Sequence, residues 1–191
     1  MPASPTDAQR PVDGSAVETI TLGGGCFWCT EAVFLQVRGI ESVQSGYCNG
    51  HVVQPDYEAV CSGTTGHAEV VQLRYAPGVI GLADILRIFF AIHDPTTLNR
   101  QGHDAGTQYR SGIYWSDPGQ VEIARAVMSE AAEAWSAPIV TELLALANYW
   151  PAEDYHQRYY DNHPGQGYCA HVIAPKLAKF RQAFARYRRP A

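Results

Sequence analysis

Apolar and polar residues alternate along Glu18-Thr-Ile-Thr-Leu22, the period of two that a half-buried strand imposes. The run His67 to Tyr75 sorts the same way. Val71, Leu73 and Tyr75 share one face with His67 and Glu69, and Ala68, Val70, Gln72 and Arg74 share the other. Ile40 to Tyr47 and Ser111 to Trp115 also have strand character, and Ile139 to Leu146 is a further strand candidate. Between the strands the period changes. Ala32, Val33, Phe34 and Val37 fit a helix from Cys26 to about Val37. Leu82, Ile85, Leu86, Phe89 and Phe90 make Val79 to His93 an amphipathic helix. Asp117-Pro118 predicts a helix start, with Asp as N-cap and Pro in the first turn, running to about Trp135. Asn49-Gly50, Gln54-Pro55 and Ser62-Gly63 mark Cys48 to Gly66 as a loop, and Asp94 to Arg110 reads as a long polar loop.

The order up to Trp115 is β-α-β-β-α-β. It predicts an α+β fold: a ferredoxin-like, split βαβ two-layer sandwich with helices on one face of an antiparallel sheet. Extra helices and an irregular C-terminal segment follow, ending in a basic helix or tail over Ala174 to Arg189.

A length of 191 residues suits a single catalytic domain over 18–191, after a loose polar tail over 1–17. That tail lacks the apolar stretch of a signal peptide, and no apolar run approaches a membrane span, so a cytoplasmic monomer is expected. The net charge of −5 argues against nucleic acid or an anionic membrane as partner. The cysteines Cys26, Cys29, Cys48, Cys61 and Cys169 are odd in number, which does not suit a disulfide framework.

Cys26 follows three glycines and opens a helix, where unpaired N–H groups and the helix dipole favour a thiolate nucleophile. The glycines let a substrate approach the backbone closely. A buried structural cysteine fits the position equally well. Glu69 shares its strand face with Val71 and Leu73. A carboxyl held there acquires a raised pKa and becomes a proton donor, unless it sits at the strand edge and reaches water. Phe27 and Trp28 can wall an apolar pocket, and the Tyr57 and Tyr109 phenols can donate hydrogen bonds to an oxyanion. Cys26 and Cys29 form a C-x-x-C pair, open to disulfide exchange or to half of a zinc site. No second such pair completes a zinc site. The glycines lack the Lys-Ser/Thr ending of a phosphate-binding loop.

Several long segments resemble A-type peptide methionine sulfoxide reductases: Gly24-Gly-Cys-Phe-Trp28, Cys61-Ser-Gly-Thr-Thr-Gly-His-Ala-Glu69 and His93-Asp-Pro-Thr-Thr97. Gln101-Gly-His-Asp104, Gly106-Thr-Gln-Tyr-Arg-Ser111, Ala152-Glu-Asp-Tyr-His-Gln157 and Gly167-Tyr-Cys169 follow in the same order. The resemblance implies reduction of the S epimer of methionine sulfoxide, free or in damaged proteins, as protein repair. It casts Cys26 as nucleophile, Glu69 as acid, Tyr57 and Tyr109 as oxygen-binding phenols and Asp104 as an ordering residue. Phe27 and Trp28 become the wall for the substrate methyl group. No bound cofactor or metal is implied. Thioredoxin, or dithiothreitol in vitro, is the reductant.

Two departures stand out. Cys29 occupies a position where Gly is commoner, and the chain after Cys169 lacks the glycine-rich tail of some relatives. The resemblance makes Cys169 the resolving cysteine. Cys29 is the alternative, because a C-x-x-C loop is so short. Cys48 and Cys61 read as structural or incidental. Two other classes remain open from sequence: a general disulfide oxidoreductase using Cys26 and Cys29, and a metal-binding or sulfoxide-sensing module.

Overall fold

A computed structural model describes residues 16–190. The proposed tail therefore lies almost wholly outside the described residues. Six strands form one mixed sheet in the order β7-β6-β1-β3-β2-β8. They are β1 (Glu18–Gly23), β2 (Ile40–Cys48), β3 (Ala68–Tyr75), β6 (Gly112–Trp115), β7 (Glu142–Ala145) and β8 (Trp150–Pro151). β4 (Arg100–Gln101) and β5 (Asp104–Ala105) pair as a short separate ladder. The helices are α1 (Phe27–Phe34), α2 (Tyr57–Cys61), α3 (Leu82–Ile92), α4 (Gln120–Ala132), α5 (Tyr159–Asn162) and α6 (Ala174–Ala183).

The alternation read from sequence sets the two faces. Ile20 and Leu22 of β1, Val71, Leu73 and Tyr75 of β3, and Ile113 of β6 turn to one side. There they pack with Val33 and Phe34 of α1 and Ile85, Leu86 and Phe89 of α3 in the main core. Ala68 and Val70 turn the other way, into a small cluster with Cys48 and Tyr114. The central strands pair antiparallel, β1 lying between β3 and β6, and β3 between β1 and β2.

The expected all-antiparallel sheet needs one correction. β7 adds parallel to β6, because α4 carries the chain back across the sheet before it pairs, as a parallel crossover requires. Other differences are local. α1 stops at Phe34 and α4 at Ala132, short of the predicted ends. Asp117 caps a turn, its Oδ1 accepting from Gly119 N–H at 2.7 Å, and α4 begins only at Gln120. The C-terminal segment is less irregular than expected. A π-helical turn over Cys169–Ile173 runs into α6, which buries Leu177 and Phe180 in the core.

Candidate active site

The site forms where β1 ends and α1 begins. Gly25 has φ +89°, and a Cβ there would lie 2.6 Å from the Gln101 side chain. That close approach is made to the chain itself and not to a substrate. Gln101 in turn grips Asp94, accepting from its N–H at 3.0 Å and donating to its carbonyl at 2.9 Å. The polar loop from Asp94 is thereby locked over the turn that presents Cys26. Cys26 is the N-cap of α1, with φ −56° and ψ 124°, and its carbonyl accepts from Cys29 N–H at 3.1 Å. It keeps 8% of its surface exposed, whereas Cys29 keeps 2% and Cys169 none.

Glu69 stands on the core face of β3, register-paired with Tyr47, and only 2% of it reaches solvent. The strand-edge alternative is thus excluded. Its Oε2 accepts from the backbone N–H of Phe27 at 3.1 Å, which ties the carboxyl to the residue after Cys26. Burial raises its pKa to about 8; the Phe27 hydrogen bond opposes the rise, and the nearby Asp104 carboxylate adds to it. At neutral pH Glu69 therefore carries a proton.

The thiols behave differently from the sequence expectation. Burial pushes the Cys26 thiol well above its ordinary value, with the Cys29 contact and the Glu69 charge acting in the same direction. Cys29 goes the other way, to about 7, chiefly because the Cys26 S–H donates to it. Lys176 and Tyr168 help, against the cost of burial. The helix start favours an anion over its first turn, where the two thiols lie side by side and titrate together.

Tyr57 begins α2, whose N-cap Asp56 accepts from Ala59 N–H at 2.8 Å. Its phenol contacts the exposed thiol of Cys61. Tyr109 lies in a short 3-10 turn, half-buried. Burial raises both phenol pKa values, and the Glu69 carboxyl adds to each, so both are proton donors facing one acid. Asp104 Oδ2 accepts from Tyr168 O–H at 2.6 Å, and that phenol oxygen lies 3.8 Å from Cys29 Sγ.

The expected aromatic pair, Phe27 and Trp28, is braced by residues that the sequence reading did not single out. Phe27 is buried, with ring centroids 5.1 Å from His156 and 5.8 Å from Tyr47. Trp28 stacks on Tyr159 at 3.7 Å and donates Nε1–H to His156 Nδ1 at 3.1 Å. Buried Glu31 holds Tyr159 in place, its oxygens accepting from Arg158 N–H at 2.8 Å and Tyr159 N–H at 3.3 Å. Glu31 had a sequence signal, a charge in the middle of an apolar helix face. Tyr168 had one too, lying beside Cys169. Cys48 is buried on the far face of the sheet, away from this group. The site brings Cys26, Cys29, Glu69, Tyr57, Tyr109, Asp104, Phe27 and Trp28 together. Cys169 stands one layer behind, on the turn that packs against α1.

A mixed α+β fold thus brings a dithiol at a helix start beside a protonated buried carboxyl and two phenols, a setting suited to an oxidoreductase. The family described as peptide methionine sulfoxide reductase matches residues 18–188. A peptide methionine sulfoxide reductase MsrA of Ralstonia nicotianae is 56% identical over 89% of this chain and 92% of its own length. Mxr1 from Saccharomyces cerevisiae, solved in reduced form, superposes with a TM-score of 0.77 at 38% identity over 82% of this chain and 91% of that one. Mxr1 solved in complex with Trx2 gives 0.55 at 27% identity over 80% and 91%. The chain belongs to the peptide methionine sulfoxide reductase family and is an oxidoreductase acting on methionine sulfoxide. Among the described residues no helix is long and apolar enough to cross a membrane.

Proposed function

We propose that this chain reduces the S epimer of methionine sulfoxide with Cys26 as nucleophile and Glu69 as acid. The observation that carries the assignment is the buried, protonated Glu69 carboxyl hydrogen-bonded to the residue after Cys26. A sulfoxide sulfur resists attack because its oxygen leaves poorly. Glu69 gives that oxygen a proton, with Tyr57 and Tyr109 donating hydrogen bonds to it. The Cys26 sulfur bonds to the substrate sulfur as the S–O bond breaks and the oxygen leaves at the level of water; that oxygen then adds to the Cys26 sulfur, the S–S bond breaks with its electron pair going to the departing methionine, and Cys26 is left as a sulfenic acid. The Cys26 thiol proton balances the one that Glu69 spent. Asp104 orders Tyr168 at the rim, and Phe27 and Trp28 enclose the substrate methyl group.

Two thiols are candidates to resolve the sulfenic acid. Cys29 is favoured as the first. The charge of Lys176 draws its thiol toward ionisation, and the extended ψ of Cys26 frees that residue from the rigid spacing of a helical turn. Its attack forms the disulfide and releases the oxygen as water. Cys169 is next in line, on the turn behind Cys29. Thioredoxin then restores both thiols by exchange, a reading that the Mxr1–Trx2 complex supports. The electrons come from sulfur and the proton from Glu69, so the cycle requires no bound cofactor.

The order β6-β1-β3-β2, with α1 and α3 as crossovers, supports reading the core as ferredoxin-like. We further place the protein in the cytoplasm as a monomer, with 18–191 as its single catalytic domain. The test is turnover of separated S and R sulfoxides of methionine with dithiothreitol. Methionine should form from the S epimer alone, and Cys26→Ser should form none. Equal turnover of both epimers, or activity in Cys26→Ser, would overturn the assignment.

A further inference from the structure

The segment Ala152-Glu-Asp-Tyr-His-Gln157 has no chemical role in the proposed cycle, yet it touches two parts of the substrate wall. Glu153 Oε1 accepts from the backbone N–H of Tyr57 at 3.1 Å, and its Oε2 accepts from Tyr47 O–H at 3.2 Å. The same Oε2 lies 3.3 Å from His156 Nε2. His156 is 1% exposed, and its Nε2 completes no hydrogen bond among the described residues, so the Glu153 carboxylate acts on it through its charge at 3.3 Å. Its other nitrogen, Nδ1, receives the indole N–H of Trp28 at 3.1 Å, so Nδ1 must offer a lone pair and the ring proton must sit on Nε2. The imidazole also lies against Phe27, at 5.1 Å, and Tyr57, at 4.4 Å. Gln157 anchors the segment to β2, accepting from Ser45 N–H at 3.0 Å and donating to Ser45 C=O at 3.0 Å.

We propose that Glu153 and His156 form a positioning couple for substrate binding: the charge of the Glu153 carboxylate, 3.3 Å from Nε2, favours the Nε2–H tautomer of His156, and that tautomer fixes the Trp28 indole that encloses the substrate methyl group. This rests on the reductase reading above. One carboxylate sets both the start of α2, which carries Tyr57, and the tautomer that orients Trp28. The oxygen-binding and methyl-binding sides of the pocket are thus registered to each other through Glu153.

Glu153→Gln separates this from simple packing. A glutamine keeps an oxygen for Tyr57 N–H but turns an N–H toward Nε2. The ring proton then moves to Nδ1, where it opposes the Trp28 N–H. The assay is single-turnover methionine formation without reductant, across substrate concentrations, in wild type, Glu153→Gln, Trp28→Phe and the double variant. Loss of a buried hydrogen bond sets the scale: the half-saturating concentration should rise about 5- to 100-fold in Glu153→Gln, while the maximal rate changes far less. Trp28→Phe has no N–H to orient, so adding Glu153→Gln to it should cost nothing further. His156→Asn, whose Oδ1 stands where Nδ1 stood, should make binding indifferent to Glu153→Gln. Wild-type half-saturation in Glu153→Gln, or effects that multiply in the double variant, would overturn the couple. An inactive wild type would instead sink the reductase reading itself.

Discussion

Replacing Glu69 with glutamine should make the protein more stable and far less active, with a stability gain that grows with pH. Glutamine keeps the oxygen that accepts from Phe27 N–H and cannot ionise. In the wild type the carboxyl titrates near 8 in the fold, against an ordinary value of 4.5. Between those values the folded state holds a proton that the unfolded chain has released. Wild-type stability therefore falls as pH rises, by about 1.4 kcal/mol per pH unit from this group. The gap of about 3.5 units caps the effect at about 5 kcal/mol above pH 8. The two proteins should thus be nearly equally stable at pH 4.5. Glu69→Gln should lead by about 3 kcal/mol at pH 7 and by about 5 kcal/mol at pH 9. Urea denaturation with thiols kept reduced, repeated from pH 4.5 to 9, measures this as a growing difference in midpoint. Reduction in the first turnover should meanwhile drop by about 10²-fold or more, the scale of a lost general acid. A stability difference that stays flat across that range would refute the buried, protonated carboxyl, and with it the proton donor of the mechanism.

Wild-type reduction in single turnover should decline as pH rises through about 8, because Glu69 loses its proton there; a rate that climbs through pH 8 to 9 would contradict it. Mass mapping after substrate without reductant should find Cys26 joined to Cys29 in wild type and in Cys169→Ser, with the sulfenic acid persisting longest in Cys29→Ser. Tyr57→Phe and Tyr109→Phe should each slow the reductive step by about tenfold, and the double variant by more than either, the range expected for donors to a developing oxyanion. Glu31→Ala should cost about 2–4 kcal/mol in urea denaturation, since it strips buried acceptors from Arg158 and Tyr159 N–H.

What the sequence disclosed follows the reach of each signal. The alternation in His67 to Tyr75 placed Glu69 on the core face beside Val71, and the apolar spacing from Leu82 to Phe90 placed α3. Both patterns are long enough to outweigh local noise. α2 hid inside a run of turn signals because five residues are too few to show a helical period; only Asp56, as an N-cap, hinted at it. β8 is two residues long and exists only because β2 offers an edge. The partners Tyr47, Glu153, His156 and Tyr159 come from distant strands and turns. Their convergence depends on tertiary packing, which no local pattern encodes.

The charge on the dithiol joins the site's parts. A helix start stabilises an anion over its first turn, so it does not choose between two sulfurs in that turn. Burial and neighbours make the choice. Tyr168 lies beside both thiols, the Glu69 charge disfavours an anion on Cys26, and the charge of Lys176 favours one on Cys29. An anion on Cys26 beside an ionised Glu69 would place two negative charges in one dry pocket, and burial pushes both of those groups toward their protonated forms. A bound sulfoxide changes that balance. In the proposed cycle its oxygen takes the Glu69 proton, its sulfur takes the Cys26 lone pair, and Cys29 stands next to the sulfenic acid that results. The arrangement proposed for the cycle thus supplies, in order, the acid for the first step and the nucleophile for the second.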